Sequence, residues 1–266
     1  MCFDVDSQPP ITPLHGQSVR TEELTLSAMD GAKFKAFAAH CDSVTPSHAA
    51  IIILPDVRGL FSFYRDLAQR FAENGVEAVA IDYFGRTAGL DPRDDSFDFM
   101  AHVAQTQQAT LNMDIASAIA YVRSMPGSGP YAIFTVGFCF GGGVSFLQAS
   151  NHLGLSGVIG FYGSPMPRRE GWAGPIERVS EYECPVLGLF GGADQGIPQE
   201  TVKAYDEALT NAHVEHELIV YPDAPHSFFD RKQDQFQQES NDAWQRMLNF
   251  ITAHTPPQPS APTQAQ

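Results

Sequence analysis

The sequence has few basic residues and no long apolar segment, and each scarcity excludes a class of protein. Lysine and arginine total 16 against 31 aspartates and glutamates, so the formal net charge is −15. This acidity argues against a nucleic-acid-binding surface, which needs a basic face, and against attraction to anionic membranes. No uncharged apolar stretch approaches the ~20 residues of a membrane-spanning helix. We therefore expect neither a nucleic acid nor a membrane as a partner.

Cysteine is also scarce. The four cysteines, Cys2, Cys41, Cys139 and Cys184, form no CxxC motif. Neither a zinc cluster nor a thioredoxin-type redox site is therefore indicated. The N-terminus lacks the basic and apolar segments of a secretory signal, so a cytoplasmic location is the expectation. In that reducing compartment all four cysteines should be thiols.

The composition suits a single folded core. Hydrophobic residues make up 43% of the chain and include 19 phenylalanines, which is enough for one sizeable core. Residues 1–15 are polar and proline-containing, and are predicted to form a loosely ordered lead-in. Residues 16–254 show no internal repeat or linker and are predicted to be a single domain. Residues 255–266 are rich in proline and glutamine and are predicted to be a disordered tail.

Short β-type runs alternate with helical stretches along this domain. Residues 20–27 and 33–39 alternate polar with apolar side chains around a turn, which predicts an antiparallel hairpin. Continuous apolar runs, such as residues 50–54, are typical of strands buried on both faces of a sheet. The alternation predicts an α/β fold with a mostly parallel central sheet, helices on both faces and an N-terminal antiparallel hairpin. Because such sheets bind ligands beyond the carboxyl ends of their strands, residues that follow strands are the candidate site residues.

The turn after the predicted strand ending at residue 136 has the pattern of a nucleophile elbow. Residues 137–142 read G-F-C-F-G-G, with cysteine in the place usually taken by serine. Glycines two residues before and after Cys139 are a steric requirement of so sharp a turn. The turn places Cys139 at a helix N-terminus, where the helix dipole favours the thiolate. The alternative is a glycine-rich turn with a buried structural cysteine.

Two further residues complete the set that a thiol nucleophile needs, namely a base and a group that orients the base. Asp194 follows the predicted strand at residues 185–190, and His226 follows the strand that ends near Tyr221. Both come after Cys139 in the order nucleophile, acid, histidine that the elbow fold uses. Taken singly, a turn aspartate and a loop histidine are the alternatives. Together the three positions predict a Cys139–His226–Asp194 triad.

With these motifs the chain resembles the dienelactone hydrolase family of α/β-hydrolases, from about residue 20 to residue 254. The motifs are L-P-D-V-R-G-L at residues 54–60, D-Y-F-G-R at 82–86, the elbow, G-G-A-D at 191–194 and A-P-H-S-F at 224–228. Members of that family hydrolyse small cyclic enol esters or related lactones through an acyl-enzyme, without metal or cofactor. The resemblance therefore implies an α/β-hydrolase fold, a hydrolase of small activated esters or lactones, and no metal or cofactor.

The resemblance also implies residues around the nucleophile. The backbone N–H groups of Val57 and Phe140 would form the oxyanion hole. Arg86 would face a substrate carboxylate, and its alternative is a surface salt bridge. Asp56 stands where the family has a glutamate that pairs with the resting thiol, and it is one methylene shorter.

The chain departs from the family at the second carboxylate-binding arginine. Asp230 occupies that position and Arg231 follows it, so either Arg231 substitutes or this carboxylate contact is lost. The substrate is therefore expected to be a small ester or lactone, with or without a carboxylate. The alternatives are a general carboxylesterase of unrelated substrate, or a non-hydrolytic binding or thiol-sensing protein on the same fold. The oligomeric state is left open.

Overall fold

The computed structural model describes residues 3–15, 18–42, 47–94, 96–125 and 131–257. Eight strands form one sheet: β1 (Val19–Ser27), β2 (Lys33–Cys41), β3 (Ala49–Leu54), β4 (Glu77–Ile81), β5 (Ala132–Phe138), β6 (Gly157–Phe161), β7 (Val186–Gly191) and β8 (His216–Tyr221). Their order is β1-β2-β4-β3-β5-β6-β7-β8. β2 pairs antiparallel with β1 and β4, and the other neighbours are parallel. The predicted hairpin and mostly parallel sheet are confirmed.

Seven α-helices lie within the described residues. They are α1 (Ser62–Glu73), α2 (Gly85–Ala88), α3 (Phe99–Val103), α4 (Gln108–Ser124), α5 (Phe140–Gln148), α6 (Gln199–Asn211) and α7 (Gln237–Ala253). α3 and α4 are separate helices, divided at residues 104–107. None of these helices combines the length and apolarity needed to cross a membrane.

The two faces of the sheet carry separate layers of helices. In β3 all six residues are buried, and successive side chains point to opposite faces. Ile51 and Ile53 pack in the cluster that includes α1 and α7, whereas Ala50, Ile52 and Leu54 pack in the cluster that includes α4. Burial on both faces explains why this strand is a continuous apolar run.

The segment at residues 3–15 packs against the domain, which corrects the prediction of a loosely ordered lead-in for these residues. Phe3 is 2% exposed. Its ring stacks on Phe63 with a centroid separation of 4.0 Å and lies 6.2 Å from Phe138. A single buried aromatic in a polar segment has no periodic pattern, so its burial could not be predicted from the sequence.

Hydrogen bonds tie the same segment to the loop that follows β8. The Ser7 hydroxyl donates to Oδ2 of the buried Asp230 at 2.6 Å. The Arg231 backbone N–H donates to the carbonyl of Gln8 at 2.9 Å. At the other end of the chain, residues 258–266 of the predicted tail lie outside the described residues.

Replacing Phe3 with alanine should lower the free energy of unfolding by about 3 kcal/mol, because a buried aromatic that is truncated leaves a cavity. Met29→Ala is the control, since Met29 is 91% exposed and its loss should change stability by no more than about 0.5 kcal/mol. Guanidinium denaturation followed by tryptophan fluorescence measures both variants. Equal unfolding midpoints would show that the N-terminal segment is not part of the core.

Candidate active site

β5 and α5 meet at a sharp backbone corner whose central residue is Cys139. Its φ of 54° and ψ of −109° are unusual for a residue other than glycine. A Cβ added to Gly137 would lie 1.8 Å from the carbonyl oxygen of Gly141, and one added to Gly141 would lie 2.1 Å from that of Leu54. Only glycine fits at either position. The corner therefore has the geometry expected of a nucleophile elbow.

The loops after β7 and β8 bring an aspartate and a histidine to this corner. Nδ1 of His226 lies 2.6 Å from Oδ2 of Asp194, and Oδ1 of Asp194 accepts the Gly196 N–H at 2.8 Å. The imidazole also hydrogen-bonds to the Cys139 side chain. The structure thus brings the three predicted triad residues together, with the imidazole between the carboxylate and the thiol.

The charges of this array support one another. Burial acts to lower the pKa of His226, but its hydrogen bonds with Asp194 and Cys139 outweigh burial and raise that pKa to about 9. Burial acts to raise the pKa of Asp194, and the hydrogen bond and charge of His226 lower it overall. The arrangement therefore favours a carboxylate and an imidazolium side by side.

Asp56 lies near the nucleophile but has a different environment from that of Asp194. It is 1% exposed, and its Oδ1 accepts the Arg58 backbone N–H at 2.8 Å. Oδ2 is buried and has no hydrogen-bond partner among the described residues. Burial raises the pKa of Asp56 to about 7, against the opposing hydrogen bond from the Arg58 backbone, and the nearby Cys139 charge adds to the rise.

The two predicted oxyanion-hole residues lie where the loop after β3 meets α5. Val57 and Phe140 are both buried. Phe140 begins α5, and the leading amides of a helix have no partner within that helix. The two elements pack so closely that a Cβ on Gly141 would lie 2.4 Å from the carbonyl oxygen of Pro55. Phe140 lines the pocket beside Cys139, whereas Val57 is not among the described lining residues.

A pocket of about 300 Å³ opens over the nucleophile and includes both Cys139 and His226 in its lining. Its other walls come mainly from α5 and from the segment after β6, including Tyr162 and Trp172. Arg168 also lines the pocket, and its guanidinium lies 4.5 Å from the Phe140 ring centroid. No aspartate or glutamate is among the described lining residues. Sequence reasoning missed Arg168, which stands in no motif, although its loop follows a strand at the active edge.

Arg86 is not in this pocket, which corrects its expected position against a substrate carboxylate. Its guanidinium pairs with Asp114 at 2.8 Å and with Asp30 at 2.5 Å. The Asp114 side chain is 1% exposed, so a buried carboxylate depends on this arginine for its counter-charge. The contacts of Arg86 are therefore those of the alternative given above, a salt-bridge arginine.

Arg231 also lies outside the pocket lining. Its guanidinium donates to Oε1 of Gln8 at 2.9 Å and to the carbonyl of Ile11 at 3.2 Å. Asp230, which occupies the family's arginine position, is 5% exposed. Both residues hold the N-terminal segment, so the structure does not show Arg231 replacing the second carboxylate-binding arginine.

Asp56→Asn should change how stability depends on pH. Because the folded-state pKa of about 7 lies above the ordinary 3.8, the folded protein retains a proton that the unfolded chain releases in this range. Wild-type stability should therefore fall as pH rises from 3.8 toward 7. Relative to the variant, the wild type should lose about 2–4 kcal/mol between about pH 5 and about pH 8. Urea denaturation at both pH values measures this, and a difference independent of pH would contradict the burial argument.

Known proteins resemble this chain in sequence and in fold. Residues 34–255 match the sequence model of the Dienelactone hydrolase family. An Escherichia coli (strain K12) protein described as "Putative carboxymethylenebutenolidase" is 28% identical over 264 residues, which cover 91% of this chain and 93% of that protein. A Synechocystis protein with the same description is 29% identical over 216 residues, which cover 77% and 85%.

Solved structures agree. The crystal structure of "Putative Dienelactone Hydrolase" from Klebsiella pneumoniae has a TM-score of 0.78 at 26% identity, over 88% of this chain and 98% of that one. Pyrococcus horikoshii acylaminoacyl peptidase, at 12% identity and a TM-score of 0.72 over 92% of this chain and 43% of that one, shares the fold alone. The chain belongs to the dienelactone hydrolase family and is a hydrolase with the α/β-hydrolase fold.

Proposed function

We propose that this hydrolase cleaves small activated esters or lactones through an acyl intermediate on Cys139. The observation that carries the proposal is the chain of contacts that runs from Asp194 through His226 to Cys139. Asp194 holds Nδ1 of His226 at 2.6 Å, the imidazole reaches the Cys139 side chain, and Cys139 opens into the pocket. Nucleophile, base and orienting group are in the order that nucleophilic catalysis uses.

Each step of the proposed hydrolysis is assigned to a named residue. His226 takes the thiol proton, and the Cys139 thiolate attacks the substrate carbonyl carbon. The N–H groups of Val57 and Phe140 stabilise the negative oxygen that forms. As the ester C–O bond breaks, His226 gives its proton to the leaving oxygen. A water that His226 deprotonates attacks the thioester, releases the carboxylic acid and restores the thiol.

The nucleophile and the pocket limit the substrate. A thiolate is a better leaving group than an ordinary alkoxide, so an unactivated ester would tend to expel the thiolate and return to substrate. Enol and aryl leaving groups depart more readily. The pocket volume of about 300 Å³ is at the small end for ligand sites. Both features favour small activated esters and lactones over peptides.

Asp56 fits a role in setting the charge beside the thiol. A carboxyl whose pKa is about 7 keeps much of its proton at neutral pH and so adds little repulsion beside a Cys139 thiolate. Its Oδ2 lacks a hydrogen-bond partner among the described residues. In this proposal Asp56 acts near the thiol in the place of the family's glutamate, and burial sets its charge.

Replacing Cys139 with alanine should lower turnover of short aryl esters and unsaturated lactones by roughly a thousandfold or more, because the covalent route is lost. Cys139→Ser should keep weak esterase activity, since the hydroxyl stands on the same corner. Cys184→Ala is the control, because Cys184 is a buried free cysteine outside the pocket lining. Steady-state kinetics measure all three, and wild-type turnover by Cys139→Ala would refute the nucleophile assignment.

Arg168 is proposed to bind the carboxylate of a carboxylate-bearing substrate. Arg168→Gln should raise KM for such a lactone by roughly tenfold and for a neutral aryl ester by less than about twofold. Arg86→Gln should lower stability and leave the ratio of the two KM values unchanged, because Arg86 is paired with Asp30 and Asp114. Equal KM changes with Arg168→Gln would favour a general carboxylesterase instead.

A further inference from the structure

A second cavity lies at the carboxyl edge of the sheet. Its volume is about 690 Å³, and its walls come from β1, β2, the loop after β3, α1 and residues 91–94, 97 and 99. The described linings of the two cavities have no residue in common. The proposed ester chemistry therefore leaves this second cavity, the Arg58 cleft, without a role.

Arg58 has an unusual environment in this cleft. Its Nη1 atom is buried and has no hydrogen-bond partner among the described residues. The guanidinium carbon lies 5.9 Å from the Phe61 ring centroid and 5.7 Å from that of Phe99, so two phenyl rings flank the cation. A buried donor with no acceptor is costly, and such groups are rare in folded proteins.

The other two arginines that line the cleft are already neutralised. Arg65 pairs with Glu23, and Arg93 donates to both carboxylate oxygens of Asp82, at 2.7 and 2.9 Å. Arg58 forms no ion pair with any described residue. The cleft thus contains a guanidinium that forms no salt bridge with a described residue, and the charge of Asp56 acts on it from beyond salt-bridge distance.

The carboxylates near Arg58 do not form a salt bridge with its guanidinium. Asp56 accepts the backbone N–H of Arg58 through Oδ1 and forms no ion pair with its guanidinium. Asp91 and Asp94 are exposed residues of the cleft lining, and Asp94 accepts from the Ser96 hydroxyl at 2.6 Å. Lys35 also lines the cleft and forms no ion pair within the described residues, so it adds a second unpaired cation.

We propose that the Arg58 cleft binds a small organic carboxylate that carries an aromatic or unsaturated group. The planar guanidinium presents two N–H groups in the geometry that a carboxylate accepts. The carboxylate would pair with the part of the guanidinium that lines the cleft, and the Phe61 and Phe99 rings, which also line it, would contact the apolar part. The cleft and the Cys139 pocket share no described lining residue, so this binding should not require the Cys139 thiol.

The direct test is calorimetric titration of the purified chain with benzoate and with benzamide, which has the same shape and no charge. Benzoate should bind saturably to the wild type and equally to Cys139→Ala, while benzamide should not bind. Arg58→Gln should weaken benzoate binding by about tenfold or more, and Arg58→Lys by less, since lysine keeps the charge and loses the fork. Circular dichroism verifies that the variants are folded.

Arg65→Gln is the matched control, because Arg65 lines the same cleft and is paired with Glu23. Its benzoate affinity should stay within about twofold of the wild type. Three results would overturn the proposal: no benzoate binding at millimolar concentration, unchanged affinity in Arg58→Gln, or affinity lost in Arg168→Gln and kept in Arg58→Gln. The last result would place the carboxylate in the Cys139 pocket.

Discussion

The site depends on one backbone corner, where β5 turns into α5 at Cys139. A left-handed φ on a cysteine is strained, and it persists only because the surrounding structure leaves no alternative. Gly137 and Gly141 permit the corner, since a side chain on either would overlap backbone atoms. The buried parallel strands fix where that backbone lies. The position of the nucleophile is therefore determined jointly by the packing of the sheet and by the two glycines. The loops after β7 and β8 are positioned by the same edge of the sheet.

Two aspartates near the thiol show how environment separates identical side chains. Asp194 is buried but hydrogen-bonded to His226, and its pKa is lowered. Asp56 is buried with one oxygen unpartnered among the described residues, and its pKa is raised to about 7. One carboxyl thus favours the charge that holds an imidazolium, and burial shifts the other toward its protonated form beside the thiol. The net charge of −15 predicts neither of these two pKa shifts, because the local contacts of each carboxyl determine its pKa.

The sequence predicted the features that depend on local pattern. It did not predict contacts between side chains that are far apart in the chain. Strand positions and the places of Cys139, Asp194 and His226 followed from apolar runs and the residues after them. Arg86 was misplaced because its partners, Asp30 and Asp114, are 56 and 28 residues away, and no periodicity encodes that pairing. The burial of Phe3 likewise depends on an aromatic surface built by other elements.

The central claim is that Cys139 carries the acyl group, and intact-protein and peptide mass spectrometry after rapid quenching tests it most directly. With p-nitrophenyl acetate at saturating concentration, the wild type should show one acetyl group per chain within the first turnover. That group should map to the peptide containing Cys139 and disappear as substrate is exhausted. Steady turnover without a covalent adduct, or an adduct confined to Cys41 or Cys184, would contradict the account.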